Sequence, residues 1–146
     1  MKKFGGIYKY LSAEAIKKAL IRELVDNKAD KVFFDLLDEI FKSKFWLIYG
    51  YDGASVIEDE YHPRFAYFVH DFMWRTGAGG IESDRIMKAL LIITGDSKLS
   101  AQKKFIGVRA GWILKYKYKH KRKGNVRKLN DIELNVYDFV LKYLDL

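Results

Sequence analysis

Between Pro63 and Gly95 the chain reads PRFAYFVHDFMWRTGAGGIESDRIMKALLIITG. Two apolar stretches flank a glycine-rich break, Thr76-Gly77-Ala78-Gly79-Gly80. Proline suits the first helical position, where its fixed φ is already helical and its missing N–H is not needed. Pro63 therefore predicts a helix from that point to about Arg75. Glycine readily adopts the backbone conformations that end helices, so the break stops it. A second helix is expected from roughly Ile81 to Thr94, closed by Gly95. No Gly-Lys-Ser/Thr follows the glycines, as a phosphate loop would require, so they read as a helix–helix turn. So short a loop makes its two helices antiparallel neighbours. This stretch sets the fold class as mainly α, a single compact helical domain around a central antiparallel helix pair. Phe65, Tyr67, Phe68 and Phe72 on the first of the pair read as core.

On the N-terminal side, Ser12 can cap a helix to about Asp26, with Ile16, Leu20, Ile21 and Leu24 on one face. Asp30 can cap another, in which Val32, Phe33, Leu36, Leu37, Ile40 and Phe41 recur at helical spacing. Phe45-Trp46-Leu47-Ile48-Tyr49 is aromatic and β-branched, so at most a short strand or hairpin is expected there. Tyr51 to Glu60 reads as a loop. On the C-terminal side, Ser97 opens a helix to about Lys115, with Phe105, Val108 and Trp112 apolar. Asn130 caps a last one holding Ile132, Leu134, Tyr137, Val140, Leu141 and Leu144.

With 146 residues, a single proline and no internal repeat or low-complexity linker, the chain is read as one domain, 1–146. Its 49% hydrophobic and 16% aromatic content is enough to build a core, which excludes a disordered chain. No apolar run is long enough to span a bilayer. Met1-Lys2-Lys3-Phe4-Gly5-Gly6 is not followed by an apolar segment, so no signal peptide is expected. There are no cysteines, which rules out disulfides and thiolate metal sites. The three histidines, His62, His70 and His120, are badly spaced for zinc. Carboxylates remain as metal ligands, and they favour calcium or magnesium.

The net charge of +8 is uneven: Lys115, Lys117, Lys119, Lys121, Arg122 and Lys123 fall within one short stretch. That density makes them candidate anion-binding residues toward nucleic acid, an acidic protein or an anionic lipid surface. A solvated basic loop is the alternative.

Four polar residues stand out at the centre. Asp52 lies in the loop Asp52-Gly53-Ala54-Ser55. His70 and Asp71 are adjacent on the first central helix, and Asp84 is near the start of the second. Antiparallel packing lets Asp84 reach His70, and a carboxylate on one imidazole nitrogen fixes the tautomer and raises basicity at the other. Asp71, rotated about 100° from His70, points elsewhere and can turn toward the Asp52 loop. Two carboxylates with loop carbonyls and water make a calcium site. The alternative is a polar network that only joins the two helices.

His70-Asp71-Phe72-Met73-Trp74-Arg75, with Asp52-Gly53-Ala54-Ser55 before it and Ser83-Asp84-Arg85-Ile86 after it, resembles the pattern of bacterial and fungal phospholipase A(2). The resemblance implies a catalytic pair, His70 as general base and Asp84 orienting it, and calcium as cofactor held by Asp52 and Asp71. Where those enzymes carry cysteines, this chain has none, and Ala54 fills the loop position. The spacing also resembles an uncharacterised family of small phage and prophage proteins with an Arg-x-x-Gly-Trp-like ending; here the stretch is Arg109-Ala110-Gly111-Trp112, one residue shorter between Arg and Gly. That likeness spans about Tyr49 to Tyr118.

Three functions follow as expectations. The first is calcium-dependent hydrolysis of lipid esters. The second is a non-catalytic virion or adaptor role among other phage virion proteins. The third is polyanion binding, nucleic acid included, through the basic stretch. The expected location is the host cytoplasm or the virion.

Overall fold

The structure, a computed structural model, describes residues 12–42, 63–75, 81–113 and the positions 131, 134, 135, 137 and 138. Its order is α1 (Ala13–Asp26), α2 (Lys31–Lys42), α3 (Phe65–Arg75), α4 (Ile81–Ile93) and α5 (Lys98–Ile113). The chain is mainly helical, with no strand among the described residues. Phe45 to Tyr49, the expected strand, lies outside them, as do Asp52 and the whole basic stretch from Lys115 to Lys123.

The helix starts follow the capping residues. Ser12 Oγ accepts the Ala15 N–H at 3.1 Å, Asp30 Oδ1 accepts that of Val32 at 3.2 Å, and Ser97 Oγ accepts that of Ser100 at 3.1 Å. Each satisfies a first-turn donor that has no partner within its helix. The end of α4 is a Schellman closure: Asp96 N–H donates to Leu91 O at 2.9 Å and Gly95 N–H to Ile92 O at 3.2 Å. It needs a left-handed residue, and Gly95 supplies φ +111°. α1 ends in the same pattern, with Ala29 N–H on Leu24 O and Lys28 N–H on Val25 O, both 3.0 Å. There Lys28 takes φ 52° without glycine's freedom.

α3 departs from the expected start. Pro63 stands one residue before the cap instead of inside the first turn, because Arg64 O receives the Phe68 N–H at 3.0 Å. The Phe65 N–H is satisfied by a side chain from another helix, Glu23 Oε1 at 2.8 Å.

The core is centred on α3. Phe65, Phe68 and Phe72 are fully buried and Tyr67 nearly so; each such ring contributes about 1.5–3 kcal/mol by leaving water. α2 packs on this face, with Phe33 edge-on to Phe65 (centroids 6.2 Å apart) and Phe41 stacked on Phe68 (5.2 Å). α1 adds Ile16, Leu20 and Leu24, and α4 adds Ile86, Met87, Ala89, Leu90 and Leu91. Arg64, before α3, reaches Thr94 beyond the end of α4, whereas His70, further along α3, reaches Asp84 near the start of α4. The pairing therefore runs in opposite senses, and α3 and α4 are the central antiparallel pair. At the C-terminal end Tyr137 is buried in the core, while Leu134 is exposed.

Candidate functional site

Helical spacing sets the site. His70 lies six residues after Arg64, about 9 Å along the axis, and its ring turns toward α4. His70 Nε2 lies 2.6 Å from Asp84 Oδ1. The second carboxylate oxygen, Oδ2, accepts from Arg109 Nη1 on α5 at 3.0 Å. Asp84 is completely buried and His70 is 7% exposed, whereas the Arg109 side chain is 23% exposed. One carboxylate thus bridges an imidazole inside the helix pair and a guanidinium that reaches solvent. A buried carboxylate needs charge compensation as well as hydrogen bonds, and Arg109 supplies the charge.

The structure brings two of the four central residues together, His70 and Asp84. With the ring's Nε2 on the carboxylate, the hydrogen bond orients the imidazole, and any base chemistry falls to Nδ1. Asp71, on the next position of α3, is buried, and Asp52 lies outside the described residues. Among the described residues no group of three or more His, Cys, Asp or Glu side chains is placed to hold a metal ion.

A second buried polar cluster was not anticipated. Arg64, 3% exposed, uses its whole guanidinium fork. Nε faces Glu23 Oε2 at 2.5 Å, Nη1 faces Asp96 Oδ1 at 3.1 Å, and Nη2 donates to Thr94 Oγ1 at 3.0 Å. Asp96 Oδ2 also accepts from Lys104 Nζ at 2.8 Å and from Ser100 Oγ at 3.1 Å. Burial alone would raise the Asp96 carboxyl. The Lys104 hydrogen bond and the charges of Arg64 and Lys104 outweigh it and hold the group below its usual range. The cluster joins α1, α3 and the turn between α4 and α5. One signal in the sequence pointed to it: Glu23 sits beside Leu24 on the face that carries Ile16 and Leu20, so a charge falls on a buried stripe.

An open pocket of about 500 Å³ lies over this second cluster, lined by Arg22, Glu23, Asn27, Arg64, Gly95 and Asp96 among others. Neither His70 nor Asp84 lines it. Glu23, Arg64 and Asp96 in its lining already pair with one another, so we place the candidate chemistry at His70 and not at the pocket.

No described helix is long and apolar enough to cross a membrane. Comparison with protein-family models, with curated proteins and with solved structures finds no match to this chain.

Proposed function

We propose that the chain is a phage- or prophage-encoded hydrolase of phospholipase type, acting on lipid esters, with His70 as general base and Asp84 as its orienting carboxylate. The observation that carries this reading is the 2.6 Å contact between His70 Nε2 and Asp84 Oδ1 inside the apolar core. Through Nδ1, His70 would take a proton from a water molecule as that water attacks the ester carbonyl. Asp84 would hold the ring in one orientation and stabilise the imidazolium that forms. Arg109 balances the carboxylate, so the pair sits in the core without a net buried charge. Calcium, the cofactor implied by resemblance to phospholipase A(2), would polarise the carbonyl, with Asp52 and Asp71 holding it. An anionic lipid surface is the partner in this reading, and the host cytoplasm or virion the location.

His70→Asn tests the reading. Asparagine still donates a hydrogen bond to Asp84 but cannot act as a base. Hydrolysis of short-chain phospholipid should fall by roughly 100-fold or more, the usual scale for general-base assistance, with stability nearly unchanged. A wild-type protein that hydrolyses no phospholipid, with or without calcium, would sink the proposal.

A specific observation supports a second reading, a non-catalytic virion or adaptor protein. His70 is 7% exposed and Asp84 not at all, as befits a polar bolt between helices. On that reading His70→Asn costs about 1–3 kcal/mol through an imperfectly satisfied network. Assembly or infectivity would then fall in step with stability.

A further inference from the structure

Along the line where α4 meets α5, positive charge outweighs negative. Asp84 faces Arg109. One turn further on, Lys88 lies over the Phe105 ring, its Nζ 5.6 Å from the centroid. The two pairs share one antiparallel register, since 84 and 88, like 105 and 109, are four residues apart. The Arg109 and Lys88 levels are therefore about 6 Å apart along the helices. The only carboxylate of these two pairs is fully occupied, because Asp84 gives one oxygen to His70 and the other to Arg109. Arg109 uses one N–H of its fork there, and among the described residues no second acceptor bonds it. Lys88 is half-buried and has no carboxylate partner among the described residues. Arg85, exposed beside Asp84, adds a third cation, against Glu82 as the exposed acid of the same turn.

The geometry points to a phosphate-binding seam between α4 and α5, in which the remaining donors of Arg109 and the Lys88 ammonium hold the phosphodiester of a lipid headgroup. A guanidinium fork binds two oxygens of a tetrahedral anion side by side, and an ammonium one turn away meets a third. The Phe105 ring, at the level of Lys88, gives the apolar part of the ligand a surface. Through Asp84, the same guanidinium joins the seam to His70. The phosphate would therefore be held beside the hydrolytic pair and not at the pocket over Arg64. The placement of the phosphate relative to a reacting ester rests on the His70 reading; the binding itself does not.

The full-length protein would be titrated with a short-chain diether phosphatidylglycerol below its micelle concentration, while the side-chain N–H signals of Arg109 and Lys88 are followed by NMR. That probe carries the phosphodiester but no ester to cleave. Inorganic phosphate and a phosphate-free diether glycerol form the other arms. Both phosphate-bearing probes should shift the two signals and weaken with added salt, with the lipid binding more tightly, and the phosphate-free probe should shift neither. Lys88→Gln leaves the Asp84 bridge intact and should weaken the lipid probe by roughly fivefold or more. Arg109→Lys keeps the charge on Asp84 but loses the fork and should weaken it similarly. Equal binding of inorganic phosphate would overturn the headgroup assignment. Shifts with the phosphate-free probe, or Lys88→Gln binding like wild type, would overturn the seam. Phosphate binding without hydrolysis would sink the catalytic reading alone. Hydrolysis indifferent to the substrate's phosphate and to Lys88→Gln would sink the seam alone.

Discussion

The two buried polar clusters are built around arginines in opposite situations. Arg64 is sealed in, and every face of its fork meets a carboxylate, a hydroxyl or a carbonyl. Arg109 gives one N–H to a fully buried carboxylate, and its side chain is 23% exposed. The first arrangement is what a core needs in order to carry charge at all, since each ion taken from water must be compensated on every side. The second leaves donors over. Saturation marks a clamp between elements, and leftover capacity marks a place where something else can bind.

The sharpest way to break this contrast is Arg64→Met. It leaves Glu23 in the core and Asp96 with Lys104 and Ser100, and it should destabilise the protein by about 3–5 kcal/mol, the scale for removing one partner of a buried ion pair. Urea unfolding measures it, and a loss below about 1 kcal/mol would mean that the cluster is solvated. Arg109→Met removes one charge-assisted hydrogen bond from Asp84 and leaves the one to His70 in place, so it should cost about 1–3 kcal/mol. If it cost as much as Arg64→Met, the two sites would not differ in kind.

The smallest effect is a slope with pH. The folded-state pKa of Asp96 lies below its unfolded value, so its contribution is fully present above about pH 4. It disappears as pH falls through the lower folded value, because protonation then costs the folded state more than the unfolded one. Asp96→Asn should flatten this part of the acid unfolding curve. His70→Asn should leave it alone, since its cluster does not touch Asp96.

The helices were legible because their ends are written locally. Ser12, Asp30 and Ser97 cap their own turns, and Gly95 closes α4 where a left-handed residue is needed. The start of α3 was less so. Pro63 gave a local signal, but the cap of that helix comes from Glu23, 42 residues away. The same division runs through the candidate site. That His70 would meet Asp84 could be read from two helices and a short turn. That Arg109 would take the other oxygen of Asp84 could not, because it depends on the packing of α5 against α4. Although Arg109 stood out in Arg109-Ala110-Gly111-Trp112, no spacing gave it a partner. Asp52 and the Lys115–Lys123 stretch lie outside the described residues.

The bond from Phe65 N–H to Glu23 Oε1 also bears on how the chain folds. A helix whose first turn is capped from within can nucleate by itself, at the entropic cost of a few dihedrals. In α3 the first N–H is bonded from α1 instead. That bond forms only once α1 is in place and the intervening chain has closed, which carries a loop-closure cost. The most apolar helix of the pair is thereby tied to the early part of the chain. Through Glu23, one carboxylate on α1 serves the first turn of a helix that begins 42 residues later.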